Sequence, residues 1–398
     1  MKLALLGTDS RIDLVAAAAE RLGHRIVAAS DLPSTGSVWG PPVHWGPLVP
    51  WETLLDSAAC DGVLVGTSGW TESRAEATRA LVQAGRPLLV SHPAMLSMLW
   101  AWELEMIRQD AGGPLVPLLP DRLHPFMTRL RSLLEATLAG DGPFGAIESL
   151  VLERRMTDRS KDEVLAWLAR DADLVRVAVG EPKRIAALGV APDAEPTAWN
   201  SLTVGLTGPA SVPVRWQVAG GGKPGLDLTV RFERAAVVVV IPDDWAEPWH
   251  WSESGQPAEQ GWFDRAEAMV GLFAGRADSG GEGDVPPALW SDAARAIELA
   301  ETVPRSLAKG RAVDLHQEEF SEMGTFRGTM ASAGCGLLLA ALLLLVIATL
   351  VGGIAHEFGW DLGARIAAIW PAVVLVALGG FLLLQLIPLL VAGGRGHE

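Results

Sequence analysis

"MKLALLGTDSRIDLVAAAAERLGHRIVAASD", residues 1–31, decides the fold. "KLALLG" is a short apolar run that stops on a glycine, so it predicts a strand and a turn. Ser10 is placed to cap a helix over "RIDLVAAAAERL", which Gly23 ends, and "RIVAASD" is the next strand, closing on Asp31. Strand, helix and strand in so few residues make a βαβ unit, which demands a parallel sheet.

The same alternation continues outward. A Pro/Gly/Trp-rich loop, "LPSTGSVWGPPVHWGPLVP", stands where a second crossover helix would be expected, and "WETLLDSAAC" is predicted helical. "DGVLVGT" is then a strand, "TESRAEATRALVQAG" a helix and "RPLLVSHP" a strand. Repeated units of this length predict a doubly wound sheet whose ligand crevice lies at the C-terminal strand ends. His92, at the end of "PLLVSH" and before Pro93, sits at such an end.

From about residue 116 the pattern changes. Helices are predicted over "RLHPFMTRLRSLLEATLAG" and "KDEVLAWLARDADLVRVAVG", and strands of period two follow. In "LDLTVRFE", Leu226, Leu228, Val230 and Phe232 share one face, while Asp227, Thr229, Arg231 and Glu233 share the other. This predicts a second α+β domain with an open, mostly antiparallel sheet having one solvated face.

Beyond residue 315 the composition is that of a membrane tail. Residues 331–354 are 24 consecutive residues without a charge. As a helix such a run is roughly 36 Å long, against a bilayer core of ~30 Å. A second uncharged run covers 367–394. The predicted organisation is therefore 1–115, a parallel-sheet domain; 116–315, the second domain; 316–330, a linker; 331–354 and 367–394, a transmembrane helical hairpin with loop 355–366. The N-terminus lacks the cleavage pattern of a signal peptide, and Arg327 and Arg395 flank the hairpin, so the predicted location is a cytoplasmic membrane with the other domains facing the cytoplasm. The two spans carry no ionisable residue, which argues for an anchor and against a transport path.

The net charge of −15 argues against nucleic-acid binding. With two cysteines, Cys60 and Cys335, neither a disulfide framework nor a cysteine zinc site is expected, and no metal site is. Tyrosine is absent, which removes mechanisms that use a phenol as proton donor.

"LALLG", the acid Asp31, "RALVQAGRPLLVSHP", "GDGPFGAI", "DADLVRVAVGEPKRIAALG" and "RSLAKGRAVDL" occur in an order that resembles the Gfo/Idh/MocA family of glucose–fructose oxidoreductases and inositol dehydrogenases, over residues 1–315. The resemblance implies a Rossmann-like nucleotide-binding domain and a second α/β domain whose sheet serves homo-oligomerisation. It also implies NAD as cofactor and a sugar or polyol as substrate. It places Gly7, Thr8, Ser10, Arg11, Asp31, Thr67 and Ser68 at the cofactor, and His92, Asp173 and Arg170 at the reacting centre.

The motifs themselves depart from the family. Of the G-x-G-x-x-G turn only the first glycine remains; Asp9 and Ile12 stand at the others. The middle glycine lets backbone approach a pyrophosphate, and a carboxylate there adds like charge. At ~4 Å and an effective dielectric of ~20, two unit charges repel by about 4 kcal/mol. Asp31 matches the ribose-binding acid, favouring NAD over NADP. The family's Glu-Lys-Pro reads Ser91-His92-Pro93, and its helical histidine, three residues before an aspartate, reads Arg170 before Asp173. Arginine cannot serve as proton donor near neutral pH, though it can hold an anion. The Trp-rich stretch 243–263 offers either an aromatic platform for a sugar or packing at a sheet edge. Two functions follow: a membrane-anchored NAD-dependent oxidoreductase with eroded motifs, or a catalytically inactive nucleotide- or sugar-sensing scaffold at the same membrane.

Overall fold

The structure, a computed structural model, describes residues 1–32, 45–189, 196–208, 210–278 and 288–315, with a few isolated positions between 343 and 357. The linker, the loop and both uncharged runs lie outside the described residues apart from those positions. Among the described residues, no helix is long and apolar enough to cross a membrane.

The first sheet has five parallel strands in the order β2-β1-β3-β4-β5: β1 is Lys2–Leu6, β2 Arg25–Ser30, β3 Gly62–Val65, β4 Leu88–Ser91 and β5 Leu115–Leu118. Helices cover both faces, so the strands are apolar throughout and not alternating. Leu3, Leu5, Leu64, Leu89 and Val116 pack under α1 (Ser10–Arg21), while Ala4, Leu6, Val63, Val65, Leu88 and Val90 pack under α2 (Glu72–Gln83) and α3 (Met98–Ala111). Strand order reverses between β1 and β3, and the loops following those strands open onto that reversal. This is where a doubly wound sheet forms its crevice.

The second sheet has nine strands. In chain order these are β6 (Ile147–Arg155), β7 (Arg184–Leu188), β8 (Thr203–Thr207), β9 (Pro213–Ala219), β10 (Gly225–Phe232), β11 (Ala236–Pro242), β12 (Trp249–Glu253), β13 (Glu259–Gly261) and β14 (Val313–Asp314). Their order across the sheet is β13-β12-β11-β10-β6-β9-β8-β7-β14, antiparallel except for the β6–β9 pair, which makes the sheet mixed. The period-two reading of β10 holds: Leu226, Leu228, Val230 and Phe232 are buried and Arg231 is exposed. The buried face packs on α4 (Pro125–Leu138), α5 (Lys161–Val179) and α7 (Trp290–Lys309).

Two elements reach back to the first sheet. Ala266, Met269, Val270 and Phe273 of α6 (Arg265–Asp278) join the core beneath α1, and Trp290 joins the core beneath α3, its indole N–H donating to Ala101 O at 2.9 Å.

Two local expectations are corrected, and one left open is resolved toward packing. Asp9, not Ser10, caps α1, because its carboxylate reaches the amides of Arg11 and Ile12 while Ser10 is already helical. "WETLLDSAAC" forms only a short 3₁₀ turn, Trp51–Leu55, that buries Leu54. Of the tryptophans in 243–263, Trp249 and Trp251 are 1% exposed and serve the core, whereas Trp262 is 71% exposed.

Candidate functional site

The crevice is built from the loops that follow β1, β2, β3 and β4. Gly7 turns the chain out of β1 at φ +66, a left-handed conformation that suits glycine. The turn delivers Asp9 to the first turn of α1. One carboxylate oxygen of Asp9 accepts from the amides of Arg11 (2.9 Å) and Ile12 (3.0 Å), and the other accepts from the amide (2.8 Å) and hydroxyl (3.0 Å) of Thr67. The free amides and dipole of a helix N-terminus attract an anion. In this chain the anion is the protein's own. Thr8 is buried and donates its hydroxyl to Asp13, Ser10 is exposed, and the Ser68 amide donates to Thr8 O at 2.9 Å.

Arg74, on the first turn of α2, fills the space beside Gly7 and is 3% exposed. Its guanidinium donates to Asp31 Oδ2 (2.6 Å), Asp31 O (3.1 Å), Gly66 O (3.0 Å) and Ser68 O (2.8 Å). A Cβ placed on Gly7 would fall inside that guanidinium. Asp31, itself at φ +51, spends its carboxylate on Arg74.

A nicotinamide dinucleotide needs the amides at the start of α1, open backbone at Gly7 and a free Asp31. All three are taken by Asp9 and Arg74, so the residues as arranged do not fit that group. Displacing Arg74 would break its half-exposed ion pair with Asp31 and its hydrogen bonds to the carbonyls of Asp31, Gly66 and Ser68, at roughly 3 kcal/mol, or about a hundredfold in affinity.

On the far side of the crevice, β4 meets α5. His92 is 2% exposed; its Nε2 lies 3.4 Å from Ala169 O, its Nδ1 has no partner among the described residues, and its carbonyl accepts from Arg170 Nε at 2.9 Å. Burial, reinforced by the Arg170 charge, pushes the imidazole down to about 3, so it is neutral across the physiological range. Arg170, held down to about 9 by burial and then by Arg11, lies 4.7 Å from the centre of the Trp167 ring. Arg11 at 4.9 Å and Arg154 at 4.0 Å flank the same ring.

Asp173 does not pair with Arg170, one turn away on α5. It takes a bidentate bond from Arg122, Nε to Oδ2 at 3.0 Å and Nη2 to Oδ1 at 2.7 Å. Burial raises the Asp173 carboxyl against the lowering effect of Arg122. Between Arg11, Arg170, Asp121, Asp173 and Trp245 there remains a cavity of about 10 Å³. A ligand pocket is roughly 300–1,000 Å³, and ~10–15 Å³ is room for one water.

The expected residues are thus brought to one crevice, in two groups. Gly7, Thr8, Asp31, Thr67, Ser68 and the Arg11 amide gather around Asp9 and Arg74; His92, Arg170 and Asp173 gather against α5, where the Arg11 side chain also lies, and Ser10 stays exposed. Sequence reasoning did not single out Arg74, Arg122, Arg154, Asp171 or Trp167. Arg74 had a faint signal, an arginine on the inward face of an otherwise Ala/Leu-lined helix, "ESRAEATRALVQ". Arg154 and Asp171 had none, because their pairing joins a strand to a helix 17 residues away.

No protein-family model and no curated protein matches the chain. Solved structures do. A candidate myo-inositol dehydrogenase from Sinorhizobium meliloti 1021 is 16% identical, with 79% of this chain and 100% of that one covered, at a TM-score of 0.60. An aldose-aldose oxidoreductase from Caulobacter crescentus, complexed with glycerol, is 16% identical over 79% and 99% of the two chains, at 0.61. An oxidoreductase from Agrobacterium radiobacter in complex with NAD+, L-tartaric acid and magnesium is 16% identical over 79% and 98%, at 0.56. At these identities the likeness is one of fold.

Proposed function

We propose that this chain is a Gfo/Idh/MocA-like protein that keeps the architecture of an NAD-dependent oxidoreductase without transferring hydride. In this reading it acts as a scaffold or sugar sensor that does not take up the dinucleotide, tethered to the cytoplasmic face of a membrane by residues 331–354 and 367–394. Self-association through the outer face of the second sheet belongs to the same reading.

One observation carries it. The Asp9 carboxylate occupies the first amides of α1, the Arg74 guanidinium fills the space beside Gly7, and the small pocket lined by Arg11, Asp121, Arg170, Asp173 and Trp245 has room for about one water, ~10 Å³. Hydride transfer needs a bound dinucleotide and an acid/base group at the reacting hydroxyl. His92, the one imidazole among the expected catalytic residues, is buried, neutral and fastened to α5.

The second reading is an NAD-dependent oxidoreductase of a sugar or polyol. The fold shared with a candidate dehydrogenase and with oxidoreductase structures, one of them bound to NAD+, together with Gly7 and Asp31, favours it. It assigns Gly7, Thr8, Ser10, Arg11, Asp31, Thr67 and Ser68 to cofactor and His92, Asp173 and Arg170 to substrate.

Titration of the full-length protein in detergent micelles with NADH and NADPH, followed by ligand fluorescence, separates the two. The scaffold reading expects no saturable binding at ~1 mM, an affinity weaker than about −4 kcal/mol. Saturation below that concentration overturns it.

A further inference from the structure

We infer that Asp9 and Arg74 are a built-in substitute for a dinucleotide, and that these two side chains close a nucleotide site the backbone still encodes. This rests on the scaffold reading above and identifies what enforces it.

The geometry is that of a liganded crevice. In doubly wound folds the first turn binds an anionic phosphate on helix amides, and the acid after the second strand binds a polar group of the ribose. Asp9 places a carboxylate on the amides of Arg11 and Ile12 and ties it to Thr67, linking the loops after β1 and β3. Arg74 supplies the donors to Asp31 and adds Gly66 O and Ser68 O, linking the loops after β2 and β3. Trp70 lies over the Arg74 guanidinium at 5.8 Å. The two residues thus satisfy the groups around the crevice with opposite charges in one chain.

The backbone beneath is otherwise intact. Gly7 keeps its left-handed turn, its amide donates to Ser30 O at 2.8 Å, and the Gly66 amide donates to Leu6 O at 3.0 Å. The carboxylate of Asp31 is aimed at the space Arg74 fills, and its side chain is 42% exposed. Removing the guanidinium and the Asp9 carboxylate therefore uncovers helix amides, a glycine turn and an acid in the arrangement a dinucleotide takes.

The test is NADH titration of the full-length wild type and the double variant Asp9→Gly/Arg74→Ala in the same micelles, with thermal unfolding of each recorded. The expected result is no saturation for the wild type at ~1 mM and saturable binding at least about tenfold tighter for the double variant. Adding Asp31→Ala should remove most of that gain. If the double variant lacks a cooperative unfolding transition, Asp9→Gly/Arg74→Gln replaces it, since glutamine keeps an N–H donor for the loop carbonyls while withdrawing from Gly7; the same gain is expected. A silent wild type with folded variants that also stay silent overturns this inference and leaves the scaffold reading standing. Saturable binding by the wild type overturns both.

Discussion

Arg122 and Asp173 form a bidentate pair, at 3.0 and 2.7 Å, with side chains 7% and 2% exposed. The pair joins the turn after β5 to α5, and so couples the parallel sheet to the second domain. Arg122 also reaches Asp292 of α7 at 3.5 Å, and Asp292 takes a 2.7 Å bond from Arg176.

Removing Asp173 takes from the buried Arg122 its bidentate partner and leaves the longer 3.5 Å contact with Asp292. Asp173→Ala is expected to lower stability by about 3–5 kcal/mol. The apolar exchange Arg122→Met/Asp173→Leu should lower it by much less, because neither a buried guanidinium nor a buried carboxylate then lacks its bidentate partner. Denaturant unfolding of the three proteins checks this; equal losses in single and double variants would contradict it.

Acid stability should depend on His92 and His124. Burial, as the main cause, pushes them down to about 3 and about 4, against an ordinary 6.5. Below about pH 6.5 the unfolded chain takes up protons that the folded chain refuses, so the stability they allow is full above 6.5 and is lost as pH falls toward 3. Each histidine contributes a slope of at most ~1.4 kcal/mol per pH unit in that window. Burial raises Asp173 and Asp243, which works in the opposite direction. The informative comparison is therefore a variant against wild type: His92→Asn should flatten the profile between pH 6.5 and 4, and an unchanged slope would show that His92 is not buried neutral.

Trp216→Phe tests the ion pair inside the second domain. The indole N–H donates to Asp171 Oδ2 at 2.8 Å, beside Arg154 Nε at 2.9 Å on the same oxygen. Losing one neutral donor to a buried carboxylate should lower stability by about 1–3 kcal/mol without altering the denaturant slope. A change confined to the slope would mean the residue acts on the denatured chain instead.

Cys60 offers a readout of local opening. Its side chain is fully buried, the Arg86 guanidinium lies 3.4 Å from Sγ, and burial pushes the thiol up despite that arginine. The thiolate is the reactive form, so with Cys335→Ser in place alkylation by iodoacetamide should await unfolding. Labelling of the folded protein at the rate of a free thiol would place Cys60 at the surface.

The parallel sheet and the period-two sheet were legible because each rests on local pattern. "LALLG" and "VLVG" are apolar on both faces, which requires helices above and below, while β10 alternates because one face meets water. That Asp9 stands where the resembled family has a glycine was equally plain in one short stretch. What Asp9 does instead was not, since its partners include Thr67, 58 residues away.

The sequence by itself determined the two-sheet architecture, the position of the crevice at the ends of β1, β3 and β4, and the departure of its motifs from a hydride-transfer site. Only the tertiary structure decided what fills that crevice. Arg74 meets Asp31 across 43 residues, and Arg122 meets Asp173 across 51. Charge pairing at such separations depends on which side chains the packed helices aim inward: Arg74 reaches Asp31 only once α2 packs on the parallel sheet, and Arg122 reaches Asp173 only once α5 packs against the turn after β5.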